Sequence, residues 1–204
     1  MEGKIHYFEE AKIENTDILL EIVKAKAQEK GIKHVVIAST RGEVGVKAAE
    51  AFRGTGITVV VVTHQIGPSG PELLVENEKR IKASGGKIVT CTHAFGGVSM
   101  SLRRIPPREA EKPLPQPYWP PYVPSTGDLI ANVLRLFSQG MKVCMEITVM
   151  AADAGAIPIG QNVISVGGQG KGSDTAIIVR SANSTSFFDL DVQEILAKPI
   201  KKSL

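Results

Sequence analysis

The chain between residues 34 and 64 reads HVVIASTRGEVGVKAAEAFRGTGITVVVVTH, and the predicted fold class follows from this segment. Residues 34–39 and 57–63 are apolar runs rich in β-branched side chains, with no polar alternation, which is typical of strands covered on both faces. Between them, Val44–Phe52 has apolar residues at helical spacing. A strand, a helix and a strand in this order predict a βαβ unit with parallel strands and a right-handed crossover.

The same alternation continues on both sides of this unit. Upstream, Asn15, Thr16 and Asp17 offer N-cap chemistry for a helix that ends at Gly31. Its expected buried stripe is Ile18, Leu19, Ile22, Val23 and Ala27. Downstream, Glu72–Ala83 is a predicted helix and Lys87–Thr92 a third predicted strand. Three consecutive strands joined by helices predict an open parallel sheet with helices on both faces.

The second half of the chain adds elements to this sheet. We predict helices over Gly127–Phe137, capped by Ser125 or Thr126, and over Met141–Ala154; strands over Asn162–Val166 and Thr175–Arg180; and a last short helix through Leu196, capped by Asp189 or Asp191. The expected fold is a three-layer α/β/α domain spanning residues 1–204. Its mostly parallel sheet has five strands, or slightly more, and its last strand runs antiparallel.

A proline-rich arm interrupts the pattern at about residues 103–125. Eight of the chain's 12 prolines lie between Pro106 and Pro124, together with Tyr118, Trp119 and Tyr122. Proline at this density excludes a helix or a central strand. The arm is expected either to pack its aromatic side chains against the domain or a second subunit, or to cover a ligand as a lid. A homo-oligomer is therefore one expected assembly.

Composition excludes several classes of protein. The net charge is only +3 and the basic residues are scattered, which disfavours a nucleic-acid binder. Cys91 and Cys144 form neither a disulfide framework nor a zinc motif, and the histidines lack metal-ligand spacing, so no metal site is expected. The polar N-terminus does not resemble a signal peptide, and no apolar window is long enough to cross a bilayer. We expect a cytoplasmic protein without a membrane partner.

A candidate anion site lies at the end of the first strand. In an open parallel sheet, ligands bind beyond the carboxyl ends of the strands. The unpaired amides and the dipole of the helix that follows favour an anion there, although an ordinary tight turn is the alternative. The candidate residues of this first loop are Ser39, Thr40, Arg41, Gly42, Glu43, Val44 and Gly45.

A second glycine-rich loop, residues 167–175, reads GGQGKGSDT between two apolar strands. Its glycines allow backbone amides to wrap an anion, with Lys171 adding charge, although a loose connection is the alternative. The candidate residues are Gly168, Gly170, Lys171 and Gly172. Neither loop has the spacing of a dinucleotide-binding motif or the context of a nucleotide-triphosphate P-loop.

Catalytic residues are not identified by any motif. Thr63 and His64 end the second strand, and His93 and Phe95 follow the third, so these four residues are expected near the same ligand. A lone histidine is more often structural. Glu146 and Asp153 lie seven residues apart on an apolar helix, with Lys142 as an i,i+4 partner of Glu146. A paired structural carboxylate is the first interpretation of Glu146, and an active-site acid pair is the second.

The residues quoted from 34–64, together with GGQGKGSDTAIIV at 167–179, resemble the carboxyl-terminal domain of pyruvate kinase. In that family these two loops form the allosteric sugar-phosphate site. By position, Ser39, Thr40, Arg41 and Gly42 match its first phosphate loop, and Gly170, Lys171 and Gly172 its second. Pyruvate kinase chemistry needs a (β/α)8 barrel of roughly 250 residues, for which 204 residues leave no room. We therefore expect no pyruvate kinase activity.

The proline-rich arm and the stretch GMKVCMEITVMAADAGAIPIG, residues 140–160, depart from pyruvate kinase. Over its whole length the chain is similar to a family of stand-alone microbial proteins built on this domain. That resemblance implies bound flavin mononucleotide (FMN). The first expected function is therefore binding of a phosphorylated small molecule, with FMN as the implied ligand. The alternatives are a flavin-dependent oxidoreductase, a sugar-phosphate sensor, and a structural or interface protein.

Overall fold

A computed structural model of the protein describes residues 3–97, 124–170 and 172–201. The strands are β1 (His6–Phe8), β2 (His34–Ala38), β3 (Thr58–His64), β4 (Lys87–Cys91), β5 (Asn162–Gly167), β6 (Thr175–Arg180) and β7 (Asp191–Pro199). The α-helices are α1 (Asn15–Lys30), α2 (Glu43–Ala51), α3 (Val75–Ala83), α4 (Thr126–Leu134) and α5 (Gln139–Asp153), and a 3-10 helix spans Ser184–Asp189.

The strands form one sheet in the order β1-β7-β6-β5-β2-β3-β4. Strands β5, β2, β3 and β4 pair in parallel, as the βαβ pattern predicts. Strand β6 runs antiparallel to both of its neighbours, so the antiparallel direction predicted for residues 175–180 is confirmed. It is not the last strand, however, because β7 follows it and pairs in parallel with β1.

The sheet carries a hydrophobic core on each face. Val35 and Ile37 of β2 belong to the core that includes Leu19, Val23 and Ile81 of the α1–α3 layer. Val36, between them, belongs to the opposite core with residues of α4 and α5. Successive side chains of a strand point to opposite faces, so β2 must be apolar throughout. The three-layer α/β/α architecture is confirmed.

The predicted last helix is wrong. Residues Asp191–Pro199 form β7, which pairs with β6 through Ile177↔Ile195 and Ile178↔Glu194. This segment contains Glu194, Leu196 and Ala197, all good helix formers, but pairing between β6 and β1 outweighs that local preference. Together with the short β1, it brings the sheet to seven strands among the described residues, where five or slightly more were expected.

The start of α1 also differs from the expectation. The helix begins at Asn15 after Glu14, and no side chain caps it. Thr16 instead accepts a hydrogen bond at Oγ1 from the Ser173 amide, 3.0 Å away. Leu19, Val23 and Ala27 are buried as predicted, whereas Ile18 is 52% exposed. By contrast, Ser125 caps α4 as predicted, accepting from the Asp128 amide.

Residues 98–123, which include most of the proline-rich arm, lie outside the described residues, as does Lys171. Both interpretations of the arm therefore stay predictions. In the parts of the chain that are described, no helix is both long enough and apolar enough to cross a membrane.

Candidate functional site

The two glycine-rich loops line the same cavity, whose volume is about 700 Å³. It lies beyond the carboxyl ends of β2 and β3, where an open parallel sheet is expected to bind ligands. Of the candidate residues, those that line it are Ser39, Thr40, Arg41, Glu43, Val44, Thr63, His64, His93, Gly168, Gly170 and Gly172. Segments more than 120 residues apart in the sequence thus face one space.

The main chain of the first loop is held from behind by hydrogen bonds to its carbonyls. Thr40 O accepts from Thr63 Oγ1 at 2.7 Å. Arg41 O accepts from the Leu74 amide at 3.2 Å and from Asn77 Nδ2 at 2.9 Å. A loop fixed in this way presents its amides without first having to reorganise, which favours anion binding at the start of α2.

The hydroxyl of Ser39 accepts a hydrogen bond from the first turn of α2, whose N-cap residue is Gly42. Ser39 Oγ accepts from the Gly45 amide at 3.1 Å, so that amide is not available to a ligand. Gly45 itself packs against Val61 of β3, where an added Cβ would lie 2.7 Å from a valine methyl group. Glu43 and Val44, the two residues before Gly45, line the cavity, and their amides are the donors left for an anion, because the first amides of a helix have no intrahelical acceptor.

The second loop is anchored to the start of α1. The Ser173 amide donates to Thr16 Oγ1, and the Asp174 amide donates to Gly167 O at 3.1 Å. Gly172 passes so close to Ile13 that a Cβ would lie 2.7 Å from the Ile13 Cα. Gly172 therefore serves close backbone approach, and the described part of the loop is tied down rather than loosely connected.

His64 and His93 meet at the cavity, as their positions after two neighbouring strands predict. Their ring centroids are 4.4 Å apart and the rings are tilted by 59°. His64 Nδ1 lies 3.0 Å from Glu72 Oε1, and His64 Nε2 lies 3.4 Å from Thr40 Oγ1. His93 Nδ1 lies 3.1 Å from Glu146 Oε2. Each imidazole is thus oriented by its own carboxylate.

Glu146 connects His93 to α5. Its side chain is buried, Lys142 Nζ donates to Oε2, and the Phe95 amide donates to Oε1 at 3.1 Å. Burial alone would raise the pKa of Glu146, but hydrogen bonds and charge from His93 and Lys142 outweigh it and lower the pKa to about 2. Glu146 is therefore an ionised carboxylate inside the protein. This agrees with the first of the two interpretations of Glu146, that of a structural carboxylate paired with Lys142.

Asp153 does not join this cluster. Its Oδ1 accepts from the Ser184 amide at 2.9 Å, at the start of the 3-10 helix. The acid pair with Glu146, the second interpretation, is therefore wrong. In the described parts of the chain, no group of three or more His, Cys, Asp or Glu side chains is arranged to hold a metal ion.

Of the candidate residues that the structure describes, three do not line the cavity. Gly42 and Gly45 shape the first loop from behind, and the Phe95 ring packs against Phe187, with centroids 5.4 Å apart. Phe95 thus reaches the site through its amide, which donates to Glu146, and through its ring, whose centroid lies 5.7 Å from Lys142 Nζ. Sequence reasoning missed further lining residues, namely Ile13, Ala38, Val62, Glu72, Gln139, Val143, Ile147 and Met150. Residues of α5 form one wall of the cavity. The sequence signal that could have predicted this is the presence of two charged residues, Lys142 and Glu146, in a strongly apolar helix.

Among the described residues, the charged side chains at the cavity already have partners. Arg41 Nε lies 3.8 Å from Glu43 Oε1, and both side chains are exposed. Lys142 is paired with Glu146, and Glu72 with His64. An anion would therefore be held mainly by backbone amides, with Arg41 contributing once it is drawn away from Glu43.

No protein-family model matches the chain. Among solved structures, it is similar to an O-ureido-L-serine synthase, with 21% identity over 71% of this chain and 40% of that chain and a TM-score of 0.31. It is also similar to Cryptosporidium parvum pyruvate kinase in complex with ADP, with 14% identity over 82% of this chain and 24% of that chain and a TM-score of 0.38. The chain spans less than half the length of either protein, and similarities of this size carry no argument about function.

Proposed function

We propose that the protein binds a phosphorylated small molecule in this cavity, with the phosphate between the start of α2 and the second glycine-rich loop. The observation that carries the proposal is the shared cavity, lined by Ser39–Val44 residues on one side and by Gly168, Gly170 and Gly172 on the other. Backbone amides at a helix start and in a glycine-rich loop are donors that suit phosphate oxygens.

FMN is the ligand we propose, on the strength of the resemblance to the stand-alone microbial proteins. The cavity has two regions that suit its two parts. Amides surround the proposed phosphate position, while Val62, Ile147 and Met150 supply apolar wall for a ring system. A volume of about 700 Å³ is in the range of small-molecule sites. When bound, FMN would supply reversible hydride transfer.

The direct test is titration of the purified chain with FMN, with quenching of flavin fluorescence as the measured signal. We expect saturable binding, and we expect Arg41→Ala to weaken it by about 5-fold because a cation next to the phosphate is lost. Arg53→Ala is the matched control, since Arg53 is on the same side of the sheet but bonds Ala83 O, away from the cavity. Equal loss of affinity in the two variants would contradict the assigned phosphate position.

A second prediction concerns the rim of the cavity. Glu43→Gln is expected to tighten binding of FMN or inorganic phosphate by about 2- to 5-fold, because it removes a negative charge at the helix start and frees Arg41. Glu21→Gln, an exposed change on α1, is the control and should leave the affinity unchanged. The measurement is isothermal titration at low ionic strength. Weaker phosphate binding by Glu43→Gln would argue that the anion lies elsewhere.

A flavin-dependent oxidoreductase is the second candidate, favoured by the titratable groups of His64, His93, Lys142 and Glu146 at the same cavity. Bleaching of bound FMN by a nicotinamide donor in the absence of oxygen would support it. A colourless protein whose melting temperature rises with a sugar phosphate but not with FMN would favour the sugar-phosphate sensor. A protein that binds none of these ligands would leave the structural or interface role.

A further inference from the structure

His93 has one ring nitrogen engaged and one available. Nδ1 is held by Glu146, whose second oxygen is in turn fixed by the Phe95 amide. Nε2 has no hydrogen-bond partner among the described residues, and His93 lines the cavity. An imidazole whose Nδ1–H donates to a carboxylate presents Nε2 as a base, which is the usual arrangement of a histidine that moves protons.

His64 provides a second imidazole next to the first. Its ring lies 4.4 Å from that of His93, Glu72 holds its Nδ1, and the Thr40 hydroxyl contacts its Nε2. Because Thr40 is part of the first glycine-rich loop, the pair of imidazoles adjoins the proposed phosphate position. Acid–base catalysis needs one group that accepts a proton and one that donates it within reach of the same substrate.

Lys142 completes the polar wall of the cavity. It is buried at 8% exposure and bonded to Glu146, so a cation lies on the same wall as His93. A purely structural ion pair would satisfy Lys142 and Glu146 without a histidine. A structural role for the Lys142–Glu146 pair does not explain why two imidazoles, His64 and His93, also line the cavity. A cation at such a site stabilises an oxyanion that forms during a reaction.

We propose that this cavity is an acid–base catalytic site for a phosphorylated hydroxy aldehyde or hydroxy ketone, in which His93 transfers the proton. The inference rests on the proposed phosphate position and is independent of flavin. His93 Nε2 takes a proton from the carbon that carries the hydroxyl group. The electron pair of that C–H bond forms a C=C bond while the carbonyl π pair moves to oxygen, giving an enediolate that Lys142 stabilises and His64 protonates. His93 then returns its proton to the neighbouring carbon while the original hydroxyl group gives its proton to His64, which forms the new carbonyl group and completes an isomerisation that needs no oxidant or reductant.

The test is exchange of carbon-bound hydrogen for deuterium in D2O, measured by proton NMR. The probe is dihydroxyacetone phosphate, and the catalyst is the whole chain. We expect exchange of the hydroxymethyl hydrogens at a rate proportional to protein concentration, and slower exchange with dihydroxyacetone, which lacks the phosphate. His93→Gln should lower the rate by about 100-fold, the usual contribution of a general acid or base. His34→Gln, at the start of β2 and thus the opposite end of the strand from the cavity, should leave it unchanged.

Binding measured in parallel separates the two proposals. His93→Gln should still bind inorganic phosphate with the affinity of the unaltered protein. If the substitution disrupted the whole site instead, phosphate binding would be lost as well. If phosphate and dihydroxyacetone phosphate bind but no exchange exceeds the blank, the catalytic proposal is overturned while the phosphate site stands. If neither anion binds, the phosphate site itself is overturned. Suppression of the exchange by FMN, with half-effect near its own dissociation constant, would support a single shared cavity.

Discussion

Glu146→Gln is expected to lower the free energy of unfolding by about 3 kcal/mol, because it leaves Lys142 without its counter-charge inside the protein. Glu146 accepts from Lys142, His93 and the Phe95 amide at once, so this one carboxylate joins α5 to the residues that follow β4. The measurement is urea denaturation at neutral pH. Glu78→Gln is the control, because the Glu78–Lys82 pair is also an i,i+4 pair on a helix but is solvent-exposed, and such pairs contribute at most about 1 kcal/mol.

The effect should also depend on pH with a definite sign. The pKa of Glu146 in the folded protein, about 2, lies below the usual carboxyl value, so ionisation of Glu146 stabilises the folded state. That contribution is fully present above the pKa of the unfolded chain, near 4.5, and is lost as the pH falls towards 2. The difference in stability between the unaltered protein and Glu146→Gln should therefore shrink on acidification from pH 5. A difference that stays constant or grows would contradict the assignment.

A double-mutant cycle isolates the ion pair from other effects. Among the described residues, Lys142→Met alone leaves Glu146 with His93 as its remaining cationic or hydrogen-bonding side-chain partner. Combined with Glu146→Gln, it removes both charges, and replacing a buried pair is often less costly than breaking it. We therefore expect the double variant to be more stable than the sum of the single losses implies. Strict additivity would show that the two side chains do not interact energetically.

The parallel core of the sheet could be predicted because β2 and β3 are buried on both faces. Both strands are continuous apolar runs rich in β-branched residues, a pattern typical of strands buried on both faces. The observed ends of β2 and β3 lie close to the predicted ends. The antiparallel β6 was located at its observed bounds, Thr175–Arg180, because glycines precede it. Local signals were sufficient wherever burial and turn chemistry agreed.

Strands β1 and β7 could not be predicted for a physical reason. Strand β1 has three residues, too few for any periodicity. Strand β7 contains helix-forming residues and adopts a strand because β6 and β1 offer hydrogen-bonding edges on both of its sides. Neither edge is visible in the local sequence, since β1 and β7 stand at opposite ends of the described chain.

Part of the candidate site likewise could not be predicted from the sequence. Convergence of the two loops follows from the rule that ligands bind at strand carboxyl ends, and His64 and His93 follow from the same rule. The contact of His93 with Glu146 joins residues 53 positions apart, and that of Thr16 with Ser173 joins residues 157 positions apart. Such contacts depend on how α1 and α5 pack on the sheet, which a pattern along the chain does not encode.

Gly42→Ala is expected to destabilise the protein by about 3 kcal/mol, through backbone strain and a collision that add together. Gly42 has φ of 98°, a conformation that disfavours any residue with a Cβ. An added Cβ would also lie 2.6 Å from the Asn77 Cβ and 2.8 Å from the Leu73 Cδ1, and both neighbours are buried. Urea denaturation measures the loss.

The loss should extend to ligand binding, because the Asn77 side chain is one of the two groups that hold the Arg41 carbonyl, together with the Leu74 amide. Displacing Asn77 frees the loop that presents the amides of Glu43 and Val44, so the affinity for phosphate is expected to fall by about 10-fold once a preorganised loop must be ordered on binding. Gly54→Ala is the control: its φ is 75°, yet nothing lies within 4 Å of the added Cβ, so it carries strain without collision. If Gly54→Ala lowered stability as much as Gly42→Ala, or if Gly42→Ala kept full phosphate affinity, the packing of α3 behind the first loop would not be what organises the anion site.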